Sequence, residues 1–147
     1  MNKSILTALT EDELDVLVSI AIRRAEVLDE SNSPAANDAW REVMMYEERL
    51  ARMTSAAEIP GGIARLGAVT SALAAGEREK AAELAEQYLM EESLPKERRH
   101  AIQRALDEYK DSLAKRFPSL SKNGRLAELD KWRARARQMP SVFPLAA

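Results

Sequence analysis

Apolar side chains recur every three or four residues along almost the whole chain, which is the spacing of one face of an α-helix. Runs that alternate apolar and polar residues are absent, and β-branched and aromatic residues are sparse. Glycines, prolines and short polar stretches divide the pattern into segments, with connections of about 3–8 residues. The pattern predicts an all-α fold, a single compact array of five to six helices with no sheet.

The first predicted helix begins at Thr10, because Thr10 and Glu13 have the spacing of a capping box. One apolar stripe along this helix comprises Leu14, Leu17, Ala21, Ala25 and Leu28. A second apolar stripe comprises Val16, Ile20 and Val27. A helix that is apolar on two sides is predicted to be central and to contact more than one neighbour.

The remaining helices follow from similar signals. Ser33-Pro34 is typical of a helix start, and the predicted inner face after it comprises Ala39, Val43, Tyr46, Leu50 and Met53, with Trp40, Met44 and Met45 as further core residues. Residues 59–62, Ile-Pro-Gly-Gly, predict a helix–helix turn, followed by a short helix that Gly76 ends. Further helices are predicted over residues 77–92, from Pro95 to Pro118, and from about residue 125 to Pro140.

Residues 66–89 resemble one tetratricopeptide-type helix pair. They comprise a short helix, a Gly turn and a second helix that opens with charged and small residues. The resemblance implies two antiparallel helices packed through small side chains. Since no second copy is visible and solenoids need about three, a plain helical hairpin is the favoured interpretation.

Charge is distributed unevenly along a chain of 147 residues whose net charge is only −2. Residues 1–95 hold 9 Lys/Arg and 18 Asp/Glu, a net of −9, whereas residues 96–147 hold 13 Lys/Arg and 6 Asp/Glu, a net of +7. This polarity favours an acidic partner for a basic surface, or self-association of opposite ends. The alternative is that the two ends face each other within one fold.

We predict a single helical domain over residues 1–147. Its parts are an N-terminal arm (1–9), acidic helices (10–94), basic helices (95–139) and an apolar tail (140–147). The chain shows neither the pattern of a secretory signal nor an apolar run of about 20 residues, so we expect a cytoplasmic protein without a membrane partner.

The sequence contains little that indicates catalysis or ligand binding. There is no Cys and a single His, which excludes thiolate chemistry and disfavours His-based acid–base catalysis. Glu97 and His100 have the spacing of a di-iron motif, but such sites need a second copy, and a solvent-facing His100 is the favoured interpretation. Gly61 and Gly67 have the outer spacing of a phosphate loop without its Lys-Ser/Thr. We expect no enzyme activity, no cofactor, no metal and no small-molecule ligand.

The predicted last helix carries the strongest functional signal. Basic side chains flank an apolar stripe of this helix that includes Trp132, and Phe143 follows in the apolar tail; the candidate partner-binding residues are Arg125, Lys131, Trp132, Arg133, Arg135, Arg137 and Phe143. Three interpretations remain open: docking on a protein or on a second copy, contact with nucleic-acid phosphates, or packing against the chain's own acidic half. The sequence favours a protein-binding module such as an adaptor, assembly subunit or inhibitor, with nucleic-acid association as the alternative.

Overall fold

The computed structural model describes residues 8–116, which form five α-helices and contain no β-strand. The helices are α1 (Glu11–Glu30), α2 (Ala36–Met53), α3 (Ile59–Ala74), α4 (Arg78–Leu89) and α5 (Lys96–Arg116). Successive helices pack on each other, α1 on α2, α2 on α3 and α3 on α4. The predicted all-α fold with helix–helix packing is confirmed.

The chain divides into two compact units, residues 1–107 and residues 108–147. The first unit contains α1 to α4 and the first part of α5, and it holds a continuous core of buried apolar side chains. Of the second unit, only residues 108–116 are described, as the last turns of α5. The prediction of one domain over the whole chain therefore stays a prediction.

Helix α1 begins at the predicted capping box. The Glu13 backbone N–H donates to Thr10 Oγ1, and the Thr10 backbone N–H donates to Glu13 Oε1, each at 3.2 Å. These two bonds satisfy donors that the first helical turn leaves without intrahelical partners, and such a cap contributes about 1 kcal/mol. The start of the helix is therefore fixed by four consecutive residues.

Only one side of α1 is buried. The buried side chains are Leu14, Val18, Ala21 and Ala25, and α2 packs against this helix. The second predicted stripe is exposed: 59% of Val16, 61% of Ile20 and 46% of Val27 is accessible. The prediction of a central helix buried on two sides is wrong for the described residues, because the stripe lies on the side of α1 opposite the core.

Helix α2 supplies the predicted core face. Ala39, Val43, Tyr46 and Leu50 are buried, and Thr54 follows the last helical residue. Of the further predicted core residues, Trp40, Met44 and Met45 are half-buried and pack against the core, whereas Met53 is exposed. Ser33 caps the turn before the helix, since its hydroxyl accepts the Ala35 N–H at 3.1 Å, but regular helix starts three residues later than Ser33.

Helix α3 is longer than predicted because it includes the Pro-Gly-Gly run. Pro60 is tolerated in the first turn of α3, because the N–H group that proline lacks would have no intrahelical partner there. The prediction that residues 59–62 form a turn is wrong; the turn is residues 54–58. Small side chains make up most of the buried face of α3, whereas Ile63 is 49% exposed. The buried small residues are Gly61, Gly62, Ala64, Ala68, Ser71 and Ala72.

Helices α3 and α4 form a hairpin around Gly76. This glycine has φ +77°, the left-handed conformation predicted for it. The N–H of Glu77 donates to Ala72 O at 2.9 Å and the N–H of Gly76 donates to Leu73 O at 3.0 Å, which satisfies carbonyls at the end of α3. The buried face of α4 comprises Ala81, Leu84, Ala85 and Tyr88, and Leu89 is half-buried beside it.

Helix α5 follows Pro95, whose carbonyl accepts the N–H groups of Arg98 and Arg99 at 3.0 Å. Leu94 and Ile102 are buried in the core of the first unit, and Leu106 is half-buried against it. No helix among residues 8–116 is long and apolar enough to cross a membrane.

Candidate functional site

The predicted partner-binding residues lie outside the described residues. This holds for all seven of them, namely Arg125, Lys131, Trp132, Arg133, Arg135, Arg137 and Phe143. Their role as a contact surface stays a prediction.

The strongest candidate within residues 8–116 is a line of apolar side chains on α1. Val16, Ile20 and Val27, which we call the α1 stripe, project on the side of α1 opposite Leu14 and Ala25. Their spacing of four and seven residues places them within about 40° of one another around the helix. The α1 stripe is thus a single narrow apolar ridge.

Charged side chains flank the α1 stripe, with acidic residues before Val16 and two arginines between Ile20 and Val27. Asp12 and Glu13 lie in the first turn of α1, where they also suit the positive end of the helix dipole. Arg23 and Arg24 lie towards the other end, with 73% and 65% of their side chains exposed. Arg23 meets Glu26 at 3.9 Å and Arg24 meets Glu42 at 3.5 Å, distances at which an exposed pair contributes little. Both guanidinium groups thus remain accessible to an approaching carboxylate.

A second feature is a buried carboxyl group between helices. Glu47 on α2 is only 5% exposed, and its carboxyl lies against Gly67 on α3, since a methyl group at Gly67 would be 2.4 Å from Glu47 Oε1. Burial, together with the smaller effect of the negative charge of Asp15 on α1, raises the pKa of Glu47 to about 7. This group can hold a proton near neutral pH, but it faces the helix packing rather than an open cleft.

A third feature is a polar network around Arg65. The Arg65 side chain is 6% exposed; its Nη2 donates to Glu91 Oε1 at 3.0 Å and to Thr54 O at 3.2 Å. Its guanidinium carbon lies 5.6 Å from the centre of the Tyr88 ring, a cation–π distance. Burial raises the pKa of the Tyr88 hydroxyl. These contacts join α3 to α4 and to the turn before α3, which is a structural role.

Two surface depressions lie along α5. One, of about 370 Å³, lies between the start of α3 and α5; its lining residues include Ile59, Pro95, Ala101 and Arg98. The other, of about 500 Å³, is lined by one face of α5, including Glu97 and Asp107. His100 is exposed there, as predicted. Among the described residues, no three His, Asp or Glu side chains are grouped so that they could hold a metal ion.

Sequence reasoning found the α1 stripe but assigned it to the core, and it missed Glu47 and Arg65. A signal for Glu47 was available, because it stands four residues after Val43 and three before Leu50, within the apolar face of α2. Arg65 offered a weaker signal, since its neighbours at helical spacing are small residues such as Ala68 and Ala72. Glu47 and Arg65 share one pattern: each is a charged residue at a position where the helical spacing predicts an apolar one.

Comparisons of the chain with protein-family models, with curated proteins and with solved structures find no match. The resemblance of residues 66–89 to a tetratricopeptide pair therefore has no support beyond the hairpin itself, which α3 and α4 form.

Proposed function

We propose that the protein is a non-enzymatic protein-binding module, an adaptor, assembly subunit or inhibitor that docks on another polypeptide through the α1 stripe. The observation that carries the proposal is the exposure of Val16, Ile20 and Val27 in one line on a well-capped helix. Full burial of one such side chain is favourable by about 1.5–3 kcal/mol, so a partner that covers the line gains free energy. Helices present apolar ridges of this kind to protein grooves and to other helices.

The charges beside the stripe support a protein partner over a nucleic acid. The acidic first turn of α1 would repel phosphates, whereas a protein surface can offer both signs of charge. The Arg-rich segment 125–137 stays a predicted second contact. Nucleic-acid association through that segment remains the alternative, and steep weakening by salt would be its mark.

Site-specific photo-cross-linking tests the proposal. A photoreactive amino acid replaces Ile20 on the stripe in one variant and the exposed Gln87 on α4 in a control, each in the full chain and in the cells that naturally express it. We expect one discrete protein adduct from position 20 and none from position 87. Absence of an adduct at position 20, or equal labelling at both positions, would contradict the proposal.

A salt series separates the alternative. The purified chain is passed over a sizing column at about 50 mM and 500 mM salt with absorbance read at 260 and 280 nm. Nucleic acid that co-elutes only at the lower salt concentration would favour phosphate binding by the Arg-rich segment.

A further inference from the structure

We infer that the α1 stripe binds a second copy of this chain, so that two α1 helices pack antiparallel about a two-fold axis level with Val18. This inference rests on the proposed function and names its partner. The order of charges over residues 12–24 of α1, acids first and arginines last, is complementary to itself when the helix is reversed.

Two of the three residues of the α1 stripe, Val16 and Ile20, pair in this register, whereas Val27 falls opposite residue 9, before the start of α1. With the two-fold axis level with Val18, each residue of one α1 helix lies opposite the residue of the other helix for which the two residue numbers add up to 36. Val16 therefore meets Ile20 of the partner subunit, and the same contact recurs on the other side of the axis. Since both side chains are more than half exposed in one chain, each contact removes apolar surface from water.

The charges also match on both sides of the contact between the two α1 helices, which we call the seam. Asp12 and Arg23 are eleven residues apart, which returns to within about 20° of the same direction around the helix, and the same holds for Glu13 and Arg24. Between residues 12 and 24, each flank of α1 thus carries an acid at its N-terminal end and an arginine at its C-terminal end. Antiparallel pairing sets Asp12 on the same flank as Arg23 of the partner subunit, and Glu13 on the same flank as Arg24 of the partner subunit, each pair offset by one residue along the helix.

Orientation follows from the same order of charges. In a parallel pair with the stripes in register, Asp12 would face its own copy and Arg23 would face its own copy, and like charges repel. The accessible guanidinium groups of Arg23 and Arg24 can donate to a second carboxylate without breaking a short bond within the chain. The charge pattern therefore selects the antiparallel arrangement.

The seam is small. One helix of 20 residues is about 30 Å long, and a seam of two such helices falls below the roughly 800 Å² per partner of a standard stable interface. We therefore expect a weak, reversible dimer that is populated in the micromolar range.

Sedimentation of the full chain from about 1 to 200 μM tests the inference. We expect the mass to rise from that of one chain, 16.4 kDa, towards twice that value. Asp12→Arg and Arg23→Glu should each weaken association at least about 5-fold, and an equimolar mixture of the two variants should restore it, because the mixed pair unites opposite charges at both ends. Circular dichroism checks that each variant stays helical. A monomer at all concentrations, or a mixture no tighter than either variant alone, would overturn the inference.

Disulfide trapping tests the register, since the native chain contains no cysteine. Chains carrying Val16→Cys and chains carrying Ile20→Cys are mixed and oxidised. The antiparallel register predicts the mixed disulfide as the main product, whereas a dominant disulfide between two Val16→Cys chains would indicate parallel pairing and overturn the inference. Failure of this inference remains distinguishable from failure of the proposed function. An adduct of another mass at position 20 overturns the dimer alone, and no adduct overturns both.

Discussion

At the scale of single residues, Glu47 is the group whose ionisation the fold opposes most clearly among the described carboxyls. Its side chain is buried between α2 and α3, and removal from water favours the neutral form. Asp15 on α1 adds a negative charge that opposes ionisation further. The helix packing therefore depends on the protonation of one carboxyl group.

This dependence predicts that stability falls as the pH rises towards neutrality. The pKa of Glu47 is about 7 in the folded chain and 4.5 as its ordinary value, so the folded state binds more protons between these limits. The free energy of unfolding then decreases with pH across that window, by up to about 3 kcal/mol in total. Glu47→Gln, which cannot ionise, should flatten this part of the profile, as measured by urea unfolding from pH 4 to pH 8.

The matched control for this prediction is Glu86→Gln, since Glu86 is exposed on α4. Its profile should retain the slope of the native chain. Parallel profiles for the native chain and Glu47→Gln would show that Glu47 titrates normally.

At the scale of elements, the packing of α3 against α2 and against the turn of residues 54–58 depends on two glycines. A methyl group at Gly61 would lie 1.8 Å from the backbone oxygen of Ser55, and one at Gly67 would lie 2.4 Å from Glu47 Oε1. Neither distance is attainable for real atoms. Gly61 therefore permits the close approach of α3 to the backbone of the preceding turn, and Gly67 leaves the space that the carboxyl of Glu47 on α2 occupies.

A double-mutant cycle at Gly67 and Glu47 tests this packing. In an open helix, Gly→Ala is favourable by about 1 kcal/mol. Here we expect Gly67→Ala to destabilise the chain by about 1–3 kcal/mol, because the buried carboxyl must move. In a Glu47→Ala background the same substitution should become stabilising. The change in sign, measured by chemical unfolding, is the expected result, and equal effects in both backgrounds would refute the contact.

At the scale of the whole molecule, two arginines join segments that are distant in sequence. Arg65 donates to Gly61 O at 2.9 Å, to Thr54 O and to the carboxylate of Glu91. Arg99 on α5 donates to Leu94 O at 3.0 Å and to the backbone oxygens of Leu89 and Glu91 at the end of α4. Together they connect the starts of α3 and α5 with the end of α4.

Removal of Arg65 should therefore destabilise the first unit as a whole. Arg65→Met leaves Thr54 O and Gly61 O without this donor and Glu91 without its cation, and we expect a loss of about 3 kcal/mol in the free energy of unfolding. Arg52→Met is the control, because Arg52 is mostly exposed and meets Glu48 at 3.6 Å; its effect should stay below about 1 kcal/mol. Similar losses in thermal or urea unfolding would contradict the structural role of Arg65.

The helices themselves followed from local chemistry, and the errors arose where packing decides. Thr10 and Glu13 bond to each other's backbones within one turn, so the sequence suffices to predict this start. The Pro-Gly-Gly run misled the prediction, because the turn before α3 and the small-residue face of α3 allow helix where these residues usually interrupt it. For the candidate site, the sequence located the α1 stripe but not its exposure.

By itself the sequence determined the helical class, the cap at Thr10 and the left-handed turn at Gly76, because each depends on bonds and sterics within a few residues. Tertiary structure alone decided which side of α1 is buried and that Glu47 and Arg65 lie inside. Both stripes of α1 fit a helix equally well, so only the position of the neighbouring helices distinguishes them. Periodicity fixes which residues share a face of a helix, and packing fixes what covers that face.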